Sequence, residues 1–269
     1  MSVLAKVDDW PVDTVAVGVT DAEDTLDRHG PTDRPFPLAS VTKLLTAMGT
    51  LVAVQDGLVH LDEPAGPDGS TVRHLLAHAS GMPPSEGGPS SPVGKRRVYS
   101  TPAYEVLGDL VADRVGLPFA EHVDLEVCRP LGMTATRITG SPGRDGGGSV
   151  DDLLALGREL LAPTILDDEL FAEATTPVFP DLSGVLPGFG RQDPNPWGLG
   201  FEIRGEKSPH WTGSRNSPAT FGHFGQSGSF LWVDPDAGLA CAELGDRAFD
   251  EWAAQAWPPL SDAVLETHA

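Results

Sequence analysis

Two cysteines in 269 residues exclude the disulfide-dense scaffold of a small secreted domain. Cys128 and Cys241 both sit in apolar surroundings, so buried free thiols are expected rather than a bridge. No apolar run approaches the length of a membrane span. The opening MSVLAKVDDWPVDTVAVGV lacks a long apolar stretch behind a basic end, so neither a signal peptide nor a membrane partner is expected, and the expected setting is cytoplasmic. Basic residues are scarce: Lys+Arg number 18 against 39 Asp+Glu, for a net charge of -21. A surface of that sign repels phosphate backbones and anionic lipid, which removes nucleic acid from the expected partners and leaves a small molecule. There is no internal repeat.

What is present is a hydrophobic share of 40%, enough for a core, punctuated by Gly 31 and Pro 25. Thr14–Val19 alternates and is rich in valine, as a strand would be, with a weaker strand after the acidic turn at Asp21–Asp24. Val41, Leu44, Leu45, Met48, Leu51 and Val52 follow helical spacing, which predicts a helix over Ser40–Asp56, and shorter helices follow at 71–79 and at Pro102–Val115. Residues 83–94 form a loop, Gly146–Gly148 a turn, and the stretch to Leu161 a helix whose start Asp151 and Asp152 cap. The last third gives strands at Gly198–Arg204, Thr220–His223, Ser229–Asp234 and Gly238–Leu244. It closes with a helix near Phe249–Ala256 and a further one after Pro259. Strands at both ends with helices between predict an α+β fold in a single domain. An antiparallel sheet lobe (about 1–60 and 197–269) would carry an inserted helical lobe (about 61–196).

Ser40-Val41-Thr42-Lys43 places a hydroxyl and an amine three residues apart on one helix face. A serine becomes a nucleophile only when something accepts its proton, and a neighbouring amine can do so. The helix start adds N–H groups suited to an oxyanion. The competing reading is a helix cap at Ser40 with Lys43 in water. The apolar helix that follows argues against it, because a lysine beside a buried helix start is expensive unless used.

FPLASVTKLLTA resembles the nucleophile segment of the serine β-lactamase and DD-peptidase superfamily, in its class C-like, esterase-related branch. VRHLLAHASGMP, VYSTPAYEVLG, PLGMTATR, GGGSVDDLLALG, WGLGFE and FGHFGQSGSFLWVDP are similar to that branch's further landmarks in the same order, across about residues 14–245. The resemblance implies the β-lactamase/DD-peptidase fold and acyl transfer from Ser40, with Lys43 and Tyr99 handling protons and no cofactor. It implies that Tyr99 faces Ser40 and Lys43 across a cleft, where an adjacent ammonium would favour phenolate. His223-Phe224-Gly225 occupies the branch's Lys/His-x-Gly strand. His223 would donate to a substrate oxygen or tune Tyr99, Gly225 would let substrate lie flat, and the Gln226 and Ser40 N–H groups would hold the oxyanion. Thr101 departs from the branch's asparagine and offers no N–H2.

Thr101, His223 and the expected absence of an export signal turn the expectation toward small carboxylic esters. β-Lactamase or DD-peptidase activity stands second, and a catalytically impaired binding protein third. Relatives in this branch are often longer, so a more open groove is expected. His74 and His78 stand four apart, but no acidic or cysteine third ligand is evident and no metal is expected.

Overall fold

Valine-rich segments from the two ends of the chain meet in one sheet. A computed structural model describes residues 2–88 and 90–269, so Pro89 of the expected loop lies outside the described residues. The strands are β1 (Val15–Thr20), β2 (Thr25–His29), β3 (Phe36–Pro37), β4 (Arg137–Ile138), β5 (Gly146–Gly148), β6 (Gly184–Leu186), β7 (Gly190–Gln192), β8 (Glu202–Ile203), β9 (Phe221–Gly225), β10 (Ser229–Asp234) and β11 (Leu239–Gly245). The helices are α1 (Thr42–Gln55), α2 (Val72–Leu76), α3 (Thr101–Val115), α4 (Phe119–Val123), α5 (Val150–Leu161), α6 (Asp168–Ala174) and α7 (Glu251–His268). The main sheet is antiparallel, in the order β2-β1-β11-β10-β9-β8. The fold is α+β, with helices packed about antiparallel strands.

β10 and β11 are buried along their whole length, because helices cover both faces of the sheet. Leu231, Val233, Ala240, Ala242 and Leu244 enter the core shared with α1, α3 and α5, while Phe230, Trp232, Leu239 and Cys241 enter a second core under α7. The period of two sorts neighbouring residues into opposite cores. Cys128 and Cys241 are both buried and unpaired. No helix among the described residues is long and apolar enough to cross a membrane.

Five expected features differ. Gly146–Gly148 is not a turn but β5, the central strand of a small sheet ordered β3-β5-β4. Its glycines permit close approach: a Cβ on Gly146 would lie 2.5 Å from the Thr42 hydroxyl, and one on Gly148 2.6 Å from that of Thr136. Asp151 and Asp152 do not cap α5; the Ser149 hydroxyl does. Asp152 instead accepts from the Ala135 N–H and the Thr136 hydroxyl, and Asp151 pairs with Arg28. The two expected closing helices are one, α7, with Pro258 and Pro259 inside it. Each proline costs about 3 kcal/mol in a helix interior. Burying Trp257, Leu260, Val264 and Leu265 under the sheet returns about 2 kcal/mol apiece, so the helix continues. The strand expected over Gly198–Arg204 shrinks to β8, and the helix expected at 71–79 to α2.

Candidate active site

The chain turns sharply into α1. Ala39 has φ of 44°, a left-handed conformation that costs a residue with a Cβ about 1–2 kcal/mol. Neighbouring elements hold it there. The Ser227 and Ser229 hydroxyls donate to the Pro37 and Leu38 carbonyls, and the Leu38 N–H donates to the Gly146 carbonyl. Residues 39–41 form one 3-10 turn before the α-helix proper, so Ser40 stands on a short elbow rather than inside the expected helix. A Cβ on Gly225 would lie 2.4 Å from the Leu38 carbonyl oxygen, so only glycine lets the end of β9 close on that elbow.

α1 is buried from Thr42 through Ala53, and Lys43 is fully buried with it. Its ammonium donates to the Ser40 hydroxyl (3.5 Å), the Thr101 hydroxyl (3.3 Å) and the Gly143 carbonyl (2.6 Å). It also sits over the Tyr99 ring, 4.7 Å from the centroid. All three acceptors are neutral. Burial, helped by the Arg144 charge, therefore lowers Lys43 to about 7, with Glu105 opposing. The amine is thus partly unprotonated at neutral pH.

Tyr99 and His223 face each other, phenol oxygen to Nε2 at 3.4 Å. His223 Nδ1 lies 2.6 Å from the Phe224 carbonyl, and burial pushes the ring down to about 3. A neutral imidazole has one N–H; spent on that carbonyl, it leaves Nε2 as an acceptor for the Tyr99 hydroxyl. Of the two expected roles of His223, donation to a substrate oxygen is therefore closed and contact with Tyr99 is open. Tyr99 also departs from expectation. Burial raises the phenol above its ordinary range, with the Ser40 hydroxyl as the opposing contact, so Lys43 does not hold it as phenolate.

His78 resembles a recurrent structural histidine of the family and Trp197 belongs to a family landmark, but the sequence does not connect either with this phenol. The His78 carbonyl accepts from the Val98 N–H and His78 Nδ1 from the Ser100 N–H, so one histidine brackets Tyr99 on both sides. The ring of Trp197 packs against His78, Tyr99 and His223. The Gly143 carbonyl, nearest oxygen to the amine, comes from a Ser-Pro-Gly turn that carries no sequence signal of its role. His74 and His78 diverge: His74 bonds to the Thr71 hydroxyl and stacks on Phe179. Among the described residues no group of three or more potential metal ligands forms.

Ser40, Tyr99, Trp197, Glu202, His223 and Gln226 surround a cavity of about 50 Å³, which Leu186 and Pro187 of the β6–β7 hairpin also line. Gln226 is anchored by bonds in both directions with Phe249, while its own N–H has no acceptor among the described residues. Ser40, Lys43, Tyr99, Thr101, His223, Gly225 and Gln226 thus converge on one place.

The family model described as beta-lactamase matches residues 1–264. The solved structure of a beta-lactamase from Mycobacterium bovis is 49% identical, with a TM-score of 0.97 over 99% of both chains. Unliganded simvastatin synthase (LovD) from Aspergillus terreus shares the fold at 16% identity, with a TM-score of 0.81 over 97% of this chain and 96% of that one. The D-alanyl-D-alanine-carboxypeptidase/endopeptidase AmpH of Escherichia coli (strain K12) is 27% identical over 147 residues, 41% of this chain and 38% of that protein. The chain therefore matches well under half the length of this curated relative.

Proposed function

This chain belongs to the beta-lactamase family of serine hydrolases, and from that premise we propose that it cleaves small carboxylic esters through a Ser40 acyl-enzyme. The observation that carries the reading is the Lys43 amine, buried among neutral acceptors beside the Ser40 hydroxyl. An amine lowered to about 7 accepts a proton at working pH, whereas one near its ordinary value holds its own.

In the proposed sequence Ser40 Oγ attacks the ester carbonyl as its proton passes to Lys43 Nζ. The carbonyl oxygen becomes an oxyanion, held by the N–H groups of Ser40 and Gln226. Collapse breaks the ester C–O bond. The departing alkoxide takes the Tyr99 proton, and the phenol recovers one from Lys43, which returns to neutral amine. Water then attacks the acyl-enzyme, giving its proton to Lys43. The second collapse returns that proton to Ser40 and frees the acid. His223 Nε2 orients the Tyr99 hydroxyl, and no step needs a metal or organic cofactor. Thr101 supports esters over amides: it accepts from Lys43 but offers no N–H to an amide carbonyl.

The name of the 49% identical structure favours a second reading, β-lactam hydrolysis; AmpH extends it to D-alanyl peptides. A fluorophosphonate probe, a short p-nitrophenyl ester and a chromogenic cephalosporin, each run beside Ser40→Ala, separate these. Ester turnover with an unreacted cephalosporin supports the first reading, and rapid cephalosporin turnover the second. Folded protein inert to all three would mean a binding module. We place the protein in the cytoplasm, a reading with which the two unpaired thiols are compatible and which cell fractionation would test.

A further inference from the structure

A second and larger cavity, about 320 Å³, adjoins the reaction cavity and shares Tyr99 and Pro187 with it. It has room for roughly ten water-sized groups. Its floor is apolar, from Pro84, Val98 and Val185, and Val185 is 61% exposed, so this carbon surface faces solvent. No residue of β9 lines it.

Its charge runs against that of the molecule. In a chain with 39 acidic and 18 basic residues, the cavity is lined by three arginines and no carboxylate. Arg97 is buried in the wall. Its guanidinium donates to the carbonyls of Ala77, Val178, Phe179 and Asn195 and to no carboxylate, which leaves a desolvated positive charge without a counter-ion. Arg96 and Arg191 stand exposed at the rim. Arg96 pairs with no acidic group among the described residues, and Arg191 meets only the exposed Asp193, at 3.3 Å. Exposed pairs of that kind are weak and are readily exchanged for another anion.

We infer that this cavity receives the far end of the substrate, an apolar chain ending in an anionic group that Arg96 and Arg191 hold over the buried charge of Arg97. The inference rests on the acyl-transfer reading and deepens it: the esters taken are those carrying an acid group remote from the scissile carbonyl. The apolar floor fits the spacer. The unpaired cations fit the terminus, and the shared wall at Tyr99 fits a single molecule spanning both cavities.

The test compares p-nitrophenyl monosuberate with p-nitrophenyl octanoate, of equal chain length, in the wild type and in Arg96→Glu/Arg191→Glu. The expected kcat/KM favours the acid by about tenfold at low salt. The double reversal removes that preference and leaves octanoate turnover within about twofold. A second arm, the octanoyl ester of 6-hydroxyhexanoate, puts the acid on the alcohol side, and a preference in either arm supports the site. Binding is read independently of chemistry in Ser40→Ala, by calorimetry with monomethyl suberate and neutral dimethyl suberate. Tighter binding of the acid, lost on charge reversal, supports the site. Equal binding of the two, or acid binding unmoved by the reversal, overturns it. Octanoate turnover without acid preference overturns this inference alone. Folded protein inert to fluorophosphonate overturns the acyl-transfer reading, while the Ser40→Ala calorimetry still decides the anion site.

Discussion

Two lysines in this molecule are buried, and they differ in what surrounds them. Lys207 pairs with the equally buried Glu202, which also takes the Trp211 indole N–H at 2.9 Å and meets His210 Nε2 at 3.1 Å. The Asn195 side chain and the Pro196 carbonyl accept Lys207's remaining protons. The cations hold Glu202 well below the usual carboxylate range, even against burial. Lys43 has the same burial and as many bonds, but no carboxylate among its acceptors. Burial lowers both lysines; at Lys207 the Glu202 carboxylate opposes the fall through charge and hydrogen bond, and at Lys43 no bonded carboxylate does. The difference separates a lysine that locks structure from one poised to exchange protons beside a hydroxyl.

The largest effect that could break this contrast is on rate. Lys43→Met removes the proposed base, and ester acylation should fall on the order of 10³–10⁴-fold, read with a p-nitrophenyl ester. In urea melts the same variant should lose less than about 1 kcal/mol, because it deletes a buried uncompensated cation. Lys207→Met should do the reverse. It strands Glu202 and should cost about 3–5 kcal/mol of stability, with acylation of the folded protein at 25 °C little changed. Equal behaviour of the two variants would break the comparison.

A third buried group sharpens it. Glu243 has no cation or hydrogen-bond partner among the described residues, and burial holds its carboxyl well above the ordinary range, with the neighbouring Trp257 indole as the opposing contact. Because its folded pKa lies above the unfolded one, its contribution is fully present below the unfolded value near 4.5. That contribution is lost as pH rises toward the folded value. Stability should fall with pH in that window by up to about 1.4 kcal/mol per unit, and Glu243→Gln should flatten the slope in melts recorded from pH 5 to 8. The smallest effect is at Thr101. Thr101→Asn keeps an acceptor for Lys43 and adds N–H2, so ester turnover should change by no more than about fivefold while cephalosporin turnover rises.

The sheet was legible because each of its long strands follows a simple pattern. Residues 15–20, 229–234 and 239–245 are runs that only a period of two between two cores explains. The approach of Ser40, Lys43 and Tyr99 was legible through ordered motifs rather than through spacing alone, since nothing in residues 43–99 fixes a distance across the cleft. The rest lay in tertiary contact. Gly146–Gly148 looks like a turn until the Thr42 and Thr136 hydroxyls press on it. The state of Tyr99 was misjudged because the sequence shows an amine nearby but not the burial of the phenol, which outweighs that amine. The uncompensated Arg97 gives no local signal, because its acceptors are carbonyls distant in the chain, and the Glu202–Lys207–His210 cluster, though close in sequence, shows its role only through its burial.

The pH dependence of kcat/KM for a neutral p-nitrophenyl ester tests the central claim most directly. A Lys43 amine lowered to about 7 predicts a rate that climbs tenfold per pH unit on the acid side. It should level near pH 7, with the same midpoint in Lys207→Met. A midpoint above pH 9, or a rate indifferent to pH between 5 and 9, would contradict it and leave Lys43 as an ordinary ammonium beside an ordinary serine.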